Sequence, residues 1–386
     1  MKIDNIRRRL AAAGAKPLHI HRILRLWAMA LPQHTGKRKP EHFLPAPVRD
    51  ALPGLLAELH KLATLHAEYP ANDGSSRLLV RASDGELLES VLLPRDGLCV
   101  STQIGCAVGC VFCMTGRSGL LRQLGSAEIV AQVVLARGLR PVRKVVFMGM
   151  GEPSHNLANV IEAIELLGTA GGIGHKNLVF STVGDQRAFD WLLGLTRHQV
   201  RPALALSLHT TDSALRVRLL PRAPQLAIGA MVEMAERYAR GSGYPTQYQW
   251  ALIDGLNDGA AEIDGIVKLL TGKHAILNLI PYNSVPDLPW RRPEWSRCEE
   301  LARQLRSRGI LTTLRQSAGQ TIDAGCGQLR VRAGEGLLAR PTAMQAQAVH
   351  WHPPAASGPA QACAVHLRPN RTMPTPSPRV TPEVLT

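Results

Sequence analysis

From about residue 97 onward the chain alternates short, β-rich apolar runs with helical segments, and this alternation narrows its fold more than any other feature. The runs finish in "CVST" (to Thr102), "VVFMGMGE" (to Glu152), "LVFST" (to Thr182), "LALSLH" (to His209), "YQWALID" (to Asp254) and "ILNLIPYN" (to Asn283); a last one, "ILTTLRQS", reaches Ser317. Repeated strand–helix units pair their strands in parallel through right-handed crossovers. Residues 95–338 are therefore expected to form one α/β domain whose sheet is open or closed as a barrel. Among the helical links, Ser126 to Leu139 has Ser126 as its expected N-cap and Glu128 in its first turn. Polar side chains collect where the strands finish, at Glu152, Ser181, Ser207, His209 and Asn283. In βα architectures that end of the sheet carries the chemistry. Any one of them alone reads as a cap or turn residue.

Ahead of the alternation, residues 4–65 read as helices: in "KPLHIHRILRLWAMAL" (Lys16 to Leu31), Ile20, Ile23, Leu24 and Trp27 fall at helical intervals. Residues 1–70 are expected to be a basic helical accessory domain, linked onward by a β-hairpin over 75–94 that turns at Ser83-Asp84-Gly85. Nine of the 27 prolines lie in residues 341–386, which makes 339–386 an expected disordered tail. Lys and Arg number 45 against 30 Asp and Glu, a net +15. Residues 1–60 alone hold eleven basic and four acidic side chains, with runs such as "IRRRL" and "GKRKP". Such cations gain affinity for a polyanion by releasing its counterions; a solvated, solubilising face is the bland alternative. Aromatic residues make up only 4%, so no base-stacking surface is advertised. Seven cysteines, odd in number and unevenly placed, do not read as a secreted disulfide framework. No signal-peptide layout and no apolar run of spanning length is present, so the expectation is a cytoplasmic protein without a membrane partner.

The segment "GLCVSTQIGCAVGCVFCMTG", residues 97–116, gathers four of the seven cysteines. Cys106, Cys110 and Cys113 form C-x3-C-x2-C in a loop between a strand and a helix, a spacing that suits a soft metal or an iron–sulfur cluster. Structural zinc is the competing reading; it wants four ligands, usually in two pairs. No second C-x-x-C exists, although Cys99 offers a fourth thiol. Three cysteines on a four-iron cluster leave one iron open. With Phe112 just before the third cysteine, the triad resembles the signature of the radical S-adenosylmethionine (SAM) superfamily.

The resemblance extends further. "LCVSTQIGCAVGCVFCMTG", "GMGEP", "FST", "SLH", "NLIPYN" and "IDAGCGQL" stand in the order and spacing of the RlmN/Cfr family of RNA adenosine methyltransferases, over residues 75 to 330. It implies a partial (β/α)6-type barrel with a small N-terminal helical domain, a [4Fe-4S] cluster on Cys106, Cys110 and Cys113, and two SAM molecules per turnover. It implies SAM contacts at Gly151, Glu152, Ser181, Ser207, Leu208, His209 and Asn283, with Glu152 accepting from the SAM ammonium. It also implies a methyl carrier at Cys326, a resolving cysteine at Cys99 that forms a transient disulfide with it, and a proton acceptor at Glu89. Glu89 alternates with Val91 and Leu93, so it shares a face with apolar side chains, and burial there raises a carboxyl pKa; its bland reading is a strand charge that discourages edge pairing. For Cys326 the bland reading is a buried small hydrophobe, and Gly325 and Gly327 leave its thiol open to close approach.

The implied substrate is adenosine, at C2, in ribosomal RNA, transfer RNA or both, acted on by a monomer that takes electrons from a donor such as flavodoxin or ferredoxin. Carbon 2 or 8 of adenine is a poor target for a methyl cation or a base, and a radical route avoids both problems. "STVGDQRAF" (Ser181 to Phe189) and "YPTQYQWALIDG" (Tyr244 to Gly255) depart from the common family versions, which leaves C8, or another RNA, as an alternative. A zinc-stabilised RNA-binding protein without catalysis is the alternative of another class. Cys298 and Cys363 match no motif.

Overall fold

The computed structural model describes residues 1–329 apart from 38, 118, 286 and 287. The segment 339–386, expected as a tail, and Cys363 within it lie outside the described residues. Four helices open the chain: α1 (Ile3–Ala12), α2 (Pro17–Ala28), α3 (Pro40–Phe43) and α4 (Ala46–Lys61). Ile3, Ile6 and Leu10 on α1, and Ile23, Leu24 and Trp27 on α2, are buried at helical spacing, which leaves the cations on the outward side.

Residues 64–70, read from the sequence as part of the helical start, instead form strand β1 (Thr64–Pro70). Its side chains alternate between half-buried and exposed, a weak pattern typical of an edge strand that depends on its partner. That partner is β2 (Ser76–Arg81), which pairs in turn with β3 (Leu87–Leu93) and then β4 (Gly97–Cys99), all antiparallel. A separate ribbon of β5 (Gln103–Gly105) and β6 (Leu120–Gln123) embraces the cysteine loop. From β4 the large sheet continues in parallel through β7 (Lys144–Phe147), β8 (Leu178–Thr182), β9 (Ala203–Ser207), β10 (Thr246–Leu252), β11 (Ala275–Pro281) and β12 (Thr312–Leu314). The ten-stranded sheet stays open, with β1 and β12 at its ends.

The links are α5 (Ser126–Leu139), α6 (Leu157–Thr169), α7 (Gln186–Gly194), α8 (Ser213–Leu219), α9 (Ile228–Ser242), α10 (Ala260–Leu270) and α11 (Trp295–Ser307). The N-cap of α5 is Gly125, whose amide donates to Glu128 Oε2 at 2.8 Å, rather than Ser126. The Ser126 hydroxyl is taken by the amide of Ile3 (2.8 Å), a long-range tie to α1 that the local pattern does not encode.

Strand register separates the two faces of the sheet. Phe147, Phe180, Leu206, Tyr248, Trp250, Leu277 and Leu279 share the face toward the helices, where Phe180 meets Trp191 of α7 edge-on. The opposite face carries Glu89, Cys99, Ser181, Ser207, Gln249, Asn278 and Thr313, since side chains two apart share a side and paired residues match. The apolar face drives packing, and the small and polar face is left for a site. Among the described residues no helix is long and apolar enough to cross a membrane.

Candidate active site

Three elements bring the cysteine loop to the polar face. It follows β5, its Val111 amide donates to the carbonyl of Leu219 at the end of α8 (3.1 Å), and the Arg222 amide donates to Val108 O (3.2 Å). Cys106, Cys110 and Cys113 all line one cavity of about 170 Å³, together with Phe112. Burial pushes the Cys106 thiol up to about 12 and Cys110 well above its ordinary value, and the neighbouring thiols and Glu152 add to both rises. Cys113 is raised for the same first reason. Left to themselves these sulfurs stay protonated; a cationic centre is what makes three adjacent thiolates tolerable. Three soft sulfur donors from one short loop, gathered on one cavity, are a donor set that suits an iron–sulfur cluster.

The strand tips supply the rest of the wall: Gly151, Glu152, Ser181, Ser207, His209 and Asn283 all face the same cavity. Several strands stop short of these residues, β7 at Phe147 and β9 at Ser207, so the polar groups sit on the following turns. Gly151 has φ +102°, and a Cβ there would lie 2.6 Å from the Gln103 side chain, so only glycine permits this turn. Glu152 is buried, with Oε1 accepting from the Ser154 amide and Oε2 from the Val183 amide, both at 3.1 Å. Burial raises its carboxyl above the usual range, against the pull of Thr182 and Ser154. His209 has φ +65°, a strained value for a residue with a side chain. Its Nδ1 accepts from the Ala251 amide (2.9 Å), and burial, with Arg216 nearby, lowers its pKa to about 3. The ring is therefore neutral with its proton on Nε2, a donor. Asn283 donates from Nδ2 to Ser317 Oγ (2.8 Å) and Cys326 O (2.9 Å), and its buried Oδ1 has no partner among the described residues. Leu208 is buried behind this wall; its amide donates to Gln249 O and its carbonyl accepts from Arg216.

A carboxylate, two hydroxyls, a neutral imidazole donor and an orphaned amide oxygen around one cavity fit a zwitterionic, ribose-bearing ligand such as SAM. The orphan is the sharpest sign, because a buried acceptor without a partner costs about 1–3 kcal/mol until something donates to it.

Cys326 joins this cavity from the far end of the described chain. The Gly327 carbonyl accepts from the Met114 amide (2.7 Å) and the Leu329 carbonyl from Thr115 Oγ1 (2.6 Å), a bond spanning 214 residues. The flanking glycines serve packing as well as access: a Cβ at Gly325 would sit 2.6 Å from Gln328 Oε1 and 2.7 Å from Asn283 Nδ2. Cys326 is an exposed residue, but loss of solvent around its sulfur raises the thiol, against the pull of Arg315 and Ser317. Cys99 is buried on β4 with its thiol raised far above its ordinary value by burial and then by Cys326, which places the two sulfurs within electrostatic reach; both are free thiols.

Glu89 is 1% exposed, two positions along the same strand face from Val91, which pairs with Cys99. It lies outside the cavity wall and is ion-paired to Arg77 Nη1, whose guanidinium stacks 4.4 Å over the Tyr69 ring. The sequence reading missed Arg77, and also Arg216, because a single arginine in an arginine-rich chain carries no local signal. Cys298 is a buried residue of α11 that is not part of the cavity wall, its thiol 3.8 Å from Pro293 O.

Residues 100–269 match the radical SAM superfamily. The chain is 66% identical over 333 residues to a protein named probable RNA methyltransferase from Leptothrix cholodnii, covering 86% of this chain and 95% of that one. It is 63% identical over 342 residues to one of the same name from Stutzerimonas stutzeri, covering 88% and 99%. Among solved structures, a radical SAM methyltransferase from Sphaerobacter thermophilus superposes with a TM-score of 0.73 at 35% identity, covering 86% of this chain and 98% of that chain.

Proposed function

The chain belongs to the radical SAM superfamily and, within it, to a group of probable RNA methyltransferases, and from that premise we propose that it methylates an adenine base of ribosomal or transfer RNA at C2 through a methylated cysteine, as the RlmN/Cfr family does. Cys106, Cys110 and Cys113 would hold a [4Fe-4S] cluster, with SAM beside it in the same cavity. When bound, cluster and SAM together supply an electron and a carbon-centred radical able to take a hydrogen atom from a methyl group.

The remaining work belongs to this chain. Glu152 accepts from the SAM ammonium, and Gly151, Ser181, Ser207, His209 and Asn283 orient the molecule, with Leu208 setting the turn between two of them. The Cys326 thiolate, its proton lost to solvent, would take the methyl of a first SAM and release S-adenosylhomocysteine. The cluster and a second SAM would supply the means to take a hydrogen atom from that methyl; its carbon would then bond to the adenine ring, and the unpaired electron left on the ring would return to the cluster as the ring proton leaves. Glu89 accepts the ring proton, and Arg77 supplies the counter-charge that a buried carboxylate needs. The Cys99 thiolate attacks the Cys326 sulfur; the carbon leaves with the base and takes up a proton, and a disulfide remains. Two electrons from an external donor such as flavodoxin or ferredoxin restore both thiols. The cationic start of the chain suits the RNA phosphates.

The observation that carries this reading is the meeting of Cys326 with the three loop cysteines on one cavity, across more than two hundred residues of sequence. Its test is anaerobic reconstitution with SAM bearing a trideuterated methyl, followed by mass spectrometry of RNA nucleosides. The expected product is an adenosine methylated on carbon 2 whose methyl keeps two deuterons. A methyl with all three overturns the cysteine-carrier route, and a product at carbon 8 moves the assignment to the alternative position.

A further inference from the structure

Arg216 on α8 is a cation buried to 5% exposure, and among the described residues no carboxylate pairs with it. Backbone oxygens solvate it instead. Nη1 donates to the carbonyls of Ser207 (3.0 Å) and Leu208 (2.6 Å), and Nη2 donates to the carbonyl of Val183 with Met231 Sδ 3.9 Å away. Those three carbonyls belong to the tips of β8 and β9, the turns that carry Ser181 and the run from Ser207 to His209. Burying a cation away from any carboxylate is costly, and packing alone gives a short helix no reason to bear it. The ionisable groups that act on Arg216 are Cys110 and Glu152, both on the cofactor side, while burial itself lowers its pKa to about 10. It in turn opposes the charged form of His209.

We propose that Arg216 is a positioning residue for the cofactor end of the cavity: it clamps the tips of β8 and β9 together and supplies the positive charge that three cluster thiolates and the Glu152 carboxylate otherwise leave unbalanced. The proposal rests on the reading of this cavity as a cluster-and-SAM site. Arg216 acts through its neighbours, because it is not part of the cavity wall. Its planar fork reaches three carbonyls at fixed angles, which a lysine's single nitrogen cannot reproduce. Its charge favours the more anionic, reduced form of a thiolate-bound cluster, which any cation at that place would do.

The two roles separate in Arg216→Lys and Arg216→Met, measured beside the wild type on anaerobically reconstituted protein, with iron content and thermal unfolding as controls. Equilibrium dialysis with SAM reads the clamp, and an EPR-monitored redox titration reads the charge. Both variants are expected to bind SAM roughly tenfold more weakly, the loss of one or two hydrogen bonds' worth of positioning. The methionine variant alone should show a lower cluster potential, with lysine close to wild type. A lysine variant with SAM affinity within about twofold of wild type overturns the clamp. A methionine variant with unchanged potential overturns the charge role; should methionine prevent folding, Arg216→Gln reads the same potential. Wild-type protein that takes up neither iron nor SAM sinks the cavity reading itself, an outcome distinct from either.

Discussion

Glu89 and Glu152 are both carboxylates buried on the polar side of one sheet, yet they are held in opposite ways. Glu152 is met by the neutral amides of Ser154 and Val183, and among the described residues no cation forms an ion pair with it, so burial lifts its pKa. Glu89, on the antiparallel side, already has its cation in Arg77, which is itself pinned on Tyr69. The parallel half thus holds its buried carboxylate with backbone amides and the antiparallel half with an arginine. On the proposed reading, binding would belong to the first and proton handling to the second.

The largest effect should come from Glu89→Gln, which keeps shape and removes basicity. Turnover should drop roughly 10²–10⁴-fold, the usual worth of a positioned base, while SAM binding by dialysis stays at the wild-type level; a variant that loses both equally breaks the division. Arg77→Met should come next, costing about 3 kcal/mol or more in urea unfolding because it strands a buried charge, whereas the double variant Arg77→Met with Glu89→Leu should recover much of the loss. Glu152→Gln should weaken SAM binding by about 10- to 100-fold, the range for a hydrogen bond to a charged group, with iron content unchanged; an unaltered affinity would deny the ammonium its partner.

The smallest effect is a pH slope. His209 is held at about 3 against an ordinary 6.5, so the unfolded chain binds a proton there that the native chain refuses. Stability should fall as pH drops below about 6.5, by roughly 1.4 kcal/mol per unit from this group. Denaturant melts of wild type and His209→Gln between pH 7 and pH 5 check it, and parallel slopes for the two would place the ring's proton elsewhere.

What could be read from the sequence divides along the same line. The parallel strands announce themselves through runs such as "LVFST" and "ILNLIPYN", because both faces of a central strand are buried and the apolar signal is continuous. The cavity residues on their tips were legible for the same reason, since each follows directly on such a run. On the antiparallel side the signal thins. Strand β1 looks like neither helix nor strand until β2 pairs with it, and Arg77 reaches Glu89 only through the register of β2 on β3. The Ser126 hydroxyl goes to the Ile3 amide instead of capping its own helix, a choice made by a contact 123 residues distant. Arg216 likewise acquires its meaning from carbonyls brought by two other strands.

The bonds from Met114 to Gly327 and from Thr115 to Leu329 staple the turn bearing Cys326 directly onto the end of the cysteine loop. No spacer lies between them to absorb a shift. Loss of iron that let the loop slacken would therefore shift the Cys326 sulfur in the same event, so damage at the three loop cysteines would carry over to the residue that the proposed route uses as its methyl carrier.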